Sequence, residues 1–427
     1  MCEPVSGGQA VRQVMFAGVC GLVVGLMISV SLLGASTQRS TWPQWRGPDR
    51  NGTVTGPAWP GTLQAAVTSQ WSRALAPSYS GPIVSADMVF VTETKDKTTE
   101  VVRALDRATG AVRWTVEWPG AVSVPFYAKS RGDWIRSTPA LDNGILYVAG
   151  MRDVLVALDA TTGSRRWRVD FVETFKATVP EFGFISSPLV DRGGVYVQAA
   201  NSVVKLDART GAVVWRTLEG GATVFESGAF SSPVVATLAG VRQLVVQTRE
   251  TLNGLDLATG RVLWAQPVPS FRGMNILTPV VVGDAVFTSS YQNGSWLYRV
   301  NRDGATWTVT QGWAMNAQGY MSTPVVIDGY AYLHLANQRF ACVDLRTGQR
   351  MWTSTPYGKY WSLVAHGDRL LALDETGHLR LIRATPKAFE LIDETVVGEG
   401  EAWAHLAVAD DELFVRDGAG ISAYRWK

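Results

Sequence analysis

Ala157-Leu158-Asp159-Ala160-Thr161-Thr162-Gly163-Ser164-Arg165-Arg166-Trp167 decides the fold, because the chain repeats it. Residues 104–114 read ALDRATGAVRW, 205–215 KLDARTGAVVW, 254–264 GLDLATGRVLW and 342–352 CVDLRTGQRMW. A degenerate copy runs through Asn301, Gly304 and Trp307. Each copy reads as a strand, a tight turn and a second strand. The Asp carboxylate caps turn amides, and the Gly takes the left-handed conformation that closes the turn. The Trp ends the unit with a large apolar ring. Self-similarity at a fixed period takes precedence over any local reading.

Between these copies runs a second beat: a small residue, Pro, β-branched residues, a turn and an apolar strand. It starts at Gly81-Pro82, Thr138-Pro139, Ser187-Pro188, Ser232-Pro233, Thr278-Pro279 and Thr323-Pro324. The prolines are 57, 49, 45, 46 and 45 residues apart, and weaker copies without Pro begin at Leu363 and Leu406. Pro is tolerated at a strand start, where it breaks no ladder bond. Asp142-Asn143-Gly144, Gly283-Asp284, Asp328-Gly329 and Gly367-Asp368 supply hairpin turns. Eight such starts with four short strands each predict an all-β fold, an eight-bladed β-propeller of four-stranded antiparallel blades. The last unit holds three strands before the chain ends, so its fourth is expected from Ala66 to Arg73. That strand closes the ring and removes its free edges. Trp71, Trp114, Trp167, Trp215, Trp264, Trp307 and Trp352 are then the blade-docking residues. Asp106, Asp159, Asp207, Asp256 and Asp344 recur at equal positions and read as turn caps, not catalysts.

Upstream, Val14 to Leu33 is uncharged and spans roughly 30 Å as a helix, enough to cross a bilayer. Residues 1–36 read either as a signal peptide cut near Ser36 or as a retained N-terminal membrane anchor. Both place the body in the periplasm or cell envelope, attached to the membrane where the segment is uncleaved. Cys20 lies inside the span, which argues against a lipoprotein signal. Residues 37–63 form a Trp/Pro/Gly-rich lead-in strap, pinned by Trp42 and Trp45, and 64–427 the propeller. Of three cysteines only Cys342 lies in the body, so no disulfide or C-x-x-C metal site is built, and Cys342 reads as a packed thiol. A net charge of +2 with scattered cations gives no footprint for nucleic acid. No P-loop, dinucleotide fingerprint, H-E-x-x-H or G-x-S-x-G is present.

The repeated A-x-D-x-x-T-G-x-x-x-W resembles the tryptophan-docking motif of quinoprotein-type (pyrroloquinoline quinone, PQQ) propeller repeats. The lead-in W-P-Q-W-R-G-P-D-R-N-G, residues 42–52, is similar to the opening of bacterial PQQ-like repeat proteins. The resemblance covers about residues 42–427. It implies one of two callings, because the family holds PQQ-dependent alcohol dehydrogenases and also the non-enzymatic scaffold lipoprotein of the outer-membrane assembly machinery. The dehydrogenases carry adjacent cysteines beside the quinone, which this chain lacks. Their Ca²⁺-ligating Glu and Asn and catalytic Asp match no motif here, so no catalytic residue and no metal ligand transfers. No cofactor is assigned, and PQQ with Ca²⁺ is what the enzymatic branch would bring.

Alternation along each meander puts the links between blades on one face, together with the links from second to third strand. The inter-blade links are long and aromatic, as functional loops often are. They carry Lys129, Arg131, Trp134 and Arg136; Lys176; Glu226; Arg272 and Asn275; Trp313, Asn316 and Tyr320; Lys359, Tyr360 and Trp361; and Glu401, Trp403 and His405. Converging above the central channel, they make a candidate face for an envelope protein partner or a small-molecule ligand. The expected protein is a monomeric binding or scaffold propeller. A PQQ-dependent oxidoreductase of alcohols or sugars and a carbohydrate-binding propeller are the alternatives.

Overall fold

The computed structural model describes residues 39–426 other than 127, 128, 130, 131, 222–227 and 320. The segment 1–36 lies outside the described residues, and among these no helix is long and apolar enough to cross a membrane. Eight four-stranded antiparallel sheets form the molecule. Blades 1 to 7 occupy residues 83–119, 140–170, 189–217, 234–267, 280–315, 325–356 and 361–396. Blade 8 joins 407–426 to the strand Val67–Ala74. That strand pairs antiparallel with Gly420–Trp426, from Val67 opposite Trp426 to Ala74 opposite Gly420. The ring is thus closed by the N-terminal strand, one residue later than the sequence suggested.

The turn of each motif is held by its Asp. Asp159 Oδ1 accepts the amides of Thr161 and Thr162, both at 3.0 Å. Asp106, Asp207, Asp256 and Asp344 accept the equivalent amides. Hydrogen bonds from Arg113 and Thr109 hold the Asp106 carboxyl at about 2, so this cap is ionised at neutral pH.

Each fourth strand carries a bulge one residue before the docking position. Ala157 faces Trp167 but Leu158 faces Arg165, leaving Arg166 unpaired. The same slip precedes Trp71, Trp114, Trp215, Trp264 and Trp352. A bulge re-aims the next side chain, here onto the following blade. Trp71, Trp114, Trp167 and Trp215 donate their indole N–H to Arg107 O, Ala160 O, Ala208 O and Leu257 O, each in the next blade's turn. Trp352 donates to Thr385 O of blade 7. The rings also lie on the next blade's motif glycine: a Cβ on Gly163 would sit 2.8 Å from Trp114.

Blade 5 corrects the sequence reading. There the bulge falls at Gly312, and the residue after it is Trp313, opposite Leu297. Trp313 donates to Leu345 O of blade 6 and covers Gly348. Trp307 lies further out on the extended hairpin, opposite Arg302, whose guanidinium stands over its ring. Because this hairpin continues past the usual turn, Trp264 finds no turn carbonyl ahead of it and donates instead to Gln243 Oε1 in its own blade. In blade 7 the register puts Asp393 at the docking position, and it accepts the amides of Leu63 and Gln64. A carboxylate there captures the chain just before the closing strand.

A belt of hydroxyls joins neighbouring blades at their inner corners. Thr138 Oγ1 accepts from Gly81 N, Ser187 Oγ from Thr138 N, Ser232 Oγ from Ser187 N, and Thr323 Oγ1 from Thr278 N. This explains the Ser or Thr before Pro139, Pro188, Pro233 and Pro324: an apolar residue there would leave a buried amide without an acceptor.

The strap fills the axis. Trp42 pairs with Val84 of blade 1 and Thr53 bridges to Ala365 of blade 7. Between them, the chain turns at Arg46–Gly52 against the inner strand starts. The strap enters and leaves on the face of the motif turns, here called lower: Ser40 bonds Asp410, and His366 reaches Gly56 O. Its tip therefore points toward the opposite, upper face. Cys342 is buried, its thiol pushed up to about 12 by burial, as befits a packed residue.

Candidate functional site

Above the tip of the strap, the upper face holds a cavity of ≈ 440 Å³. The links between blades bring Phe182, Phe230, Phe271 and Trp403 to it, and the links from second to third strand bring Arg249 and Tyr291. Trp45 of the strap is part of its lining, with the indole N–H on Thr278 Oγ1 at 3.0 Å. The rings form two groups. Tyr360 stacks on Trp403 at 5.7 Å, with Tyr79 beside them at 6.2 Å. Phe182 meets Phe230 edge-on at 5.7 Å, and Phe271 meets Tyr291 at 6.2 Å. Arg136, Arg249 and Arg272 lie over Tyr79, Phe230 and Phe271 at 5.2, 5.3 and 5.1 Å. Stacking holds a guanidinium flat, and part of two edges is used within the protein: Arg136 Nη2 donates to Gly132 O at 2.7 Å and Arg249 Nη2 to Arg272 O at 2.8 Å. Among the described lining residues Glu181 is the one carboxylate against three guanidinium groups. The described lining therefore carries more positive than negative groups. A larger hollow of ≈ 720 Å³ beside blades 3 and 4 shares Arg249 and Arg272 with it.

Of the residues singled out in the sequence, Arg136, Arg272, Tyr360 and Trp403 line this cavity. Lys129, Lys176, Asn316, Lys359 and Glu401 are exposed outside the lining, and Trp134 is half-buried outside it. Arg131, Glu226 and Tyr320 lie outside the described residues. Four others are packed inside and present nothing to a ligand. Trp313 docks blade 5 to blade 6, as above. Trp361 is fully buried, stacked on His334 at 5.1 Å and tilted against Phe340 at 4.7 Å, because it opens the inner strand of blade 7. Asn275 donates to Arg249 O at 2.9 Å, fixing the loop that carries the arginine. His405 packs between Trp42 and Trp45, and burial lowers it to about 3, so it stays neutral.

Arg249, Tyr291, Tyr79 and Trp45 escaped the sequence reading. The first two sit in short links that alternation already placed on this face, so strand counting was the available signal. Trp45 reaches the cavity only because the strap threads the axis, which no periodicity reports.

PQQ with Ca²⁺ does not fit these residues. Ca²⁺ takes six to eight oxygen ligands. The described residues hold no cluster of three or more His, Cys, Asp or Glu side chains, and three guanidinium groups surround the cavity's one carboxylate.

Fold and docking pattern define a quinoprotein-type, eight-bladed propeller whose axis is filled by its own strap. The chain belongs to the family described as outer membrane protein assembly factor BamB, whose model matches residues 61–116 and 98–354. It is 27% identical to outer membrane protein assembly factor BamB of Yersinia pestis over 310 residues, 65% of this chain and 75% of that protein. The crystal structure of BamB from Moraxella catarrhalis superposes with a TM-score of 0.60 at 17% identity, covering 84% of this chain and 99% of that one. The quinohemoprotein alcohol dehydrogenase ADHIIG from Pseudomonas putida HK5 gives 0.63 at 14% identity, over 90% and 80%. At such identities the two structural likenesses speak for the fold alone.

Proposed function

We propose that this protein is an exported, non-catalytic scaffold of the cell envelope, acting in outer membrane protein assembly. It holds a partner protein by a segment seated in the upper cavity. Family membership supports the assembly role. The observation that carries the site is the blind cavity itself: aromatic walls, three ring-stacked guanidinium groups and a floor made by the chain's own Trp45. An apolar socket with convergent cations suits an aromatic or aliphatic side chain flanked by Asp or Glu. The exposed Lys129, Lys176 and Lys359 would add to the attraction from outside the lining.

Capture from solubilised envelope membranes tests this. Wild type is expected to retain a partner whose cross-linked peptide is acidic and apolar. Trp403→Ala combined with Arg249→Glu should lose it, whereas Arg192→Glu on the lower face should not. Equal capture by all three would refute the cavity as the interface. The second reading, a quinone oxidoreductase, has the flat aromatic rings of the lining in its favour and its cations against a bound Ca²⁺. A bound chromophore after adding PQQ and Ca²⁺ to purified protein would revive it.

A further inference from the structure

Among the described residues five arginines are buried, and three of them face acids. Arg107 meets Glu412 at 2.7 Å, Arg380 meets Asp374 at 2.6 Å, and Arg416 lies in the field of Glu93 and Asp417. The remaining two, Arg46 and Arg50, occupy the tip of the strap and are 1% and 4% exposed. Arg46 Nη2 donates to Asn51 O at 2.9 Å and to Pro324 O of blade 6. Arg50 donates to Pro188 O at 2.9 Å, Ser187 O at 3.2 Å and Gln44 Oε1 at 3.3 Å. All these acceptors are neutral. Neither arginine forms an ion pair among the described residues. Both Nε–H groups are buried without an acceptor.

The neighbours do not balance the charge. His405 is held neutral, and the nearby Tyr360 hydroxyl keeps its proton because burial raises it far above neutrality. Arg50 feels Arg46 as a like charge. Both also sit at positive φ, 61° and 56°, a conformation that costs a side-chain-bearing residue about 1 kcal/mol or more. The backbone accepts strain to put two cations on the axis. A buried charge left without a counter-charge is expensive, and buried charges are as a rule paired.

We propose that the propeller axis binds a small monovalent anion, of the size and charge of chloride, held by the guanidinium groups of Arg46 and Arg50. The anion locks the strap tip beneath the cavity floor. This site is independent of whatever occupies the cavity above it.

Thermal unfolding of the full chain in sodium gluconate, chloride and bromide at fixed ionic strength tests the idea. Chloride and bromide should raise the midpoint saturably over gluconate, by at least about 2 °C. The rise should vanish in the Arg46→Gln/Arg50→Gln double variant. Crystals soaked in bromide should show anomalous scattering within hydrogen-bond reach of Arg46 or Arg50, and this measurement decides the matter if the variant does not fold. Identical unfolding in chloride and gluconate, bromide only at surface arginines, or a halide response kept by the double variant would each overturn the proposal.

Discussion

Single residues in this protein carry two duties at once, and the motif glycine is the clearest case. Gly163 adopts φ +75°, and the Trp114 ring rests on it. Gly163→Ala must therefore meet both a left-handed penalty and a clash with the docked ring. A loss of about 2–4 kcal/mol is expected in denaturant unfolding. The exposed-turn control Gly144→Ala, with φ +74° but open space around it, should cost about 1 kcal/mol. Equal losses would show that docking adds nothing.

Glu100 is the other instructive residue. It reaches from blade 1 to accept from Met151 N of blade 2 and from Trp118 Nε1. Burial pushes its carboxyl from 4.5 up to about 7, against the pull of those donors. The folded protein thus holds this proton more tightly than the unfolded chain. Its contribution is fully present below about 4.5 and is lost as pH rises through about 7. Asp153, which accepts from Ala200 N in blade 3, is likewise pushed by burial from 3.8 to about 7 and acts in the same sense. The melting midpoint should fall across this window, and in Glu100→Gln it should fall less. An unchanged slope would contradict the assignment.

At the scale of the element, the fourth strand and its bulge set how blades meet. Most of this was legible: the Asp, Gly and Trp spacing marks the turn in five blades, and in four of them the Trp bonds a carbonyl of the next blade, Trp264 being the exception. Blade 5 was misread because its hairpin is longer, so the docking ring comes six residues after Trp307. The clue was present, since the motif places Trp four residues after Gly and here Gly304 to Trp307 is three. Trp313→Ala should cost about 3–5 kcal/mol in urea unfolding. Trp307→Ala, losing a half-exposed ring and a cation–π contact, should cost about 1 kcal/mol. The reverse order would make Trp307 the docking residue of blade 5. Asp393 was illegible, because a carboxylate in a ring's place follows no repeat and gains meaning only when Leu63 and Gln64 arrive beside it.

For the whole molecule, closure and threading come from the same N-terminal stretch. Residues 42–54 fill the axis, and 67–74 complete the last blade. Residues that looked alike in the loops were then sorted by depth: Trp403 to the cavity, Trp361 and His405 to the interior. Sequence alternation assigns a face but not a depth, which depends on how far each loop folds over the axis. Seating of a partner's acidic, apolar segment in the upper cavity can be read by placing a photo-crosslinking amino acid at Met274, inside the cavity, and at Asp142, on the lower face, in living cells. A crosslink to one envelope protein is expected from Met274, at a peptide rich in Asp or Glu, and none to that protein from Asp142. No crosslink from Met274, or the same partner from both positions, would contradict it.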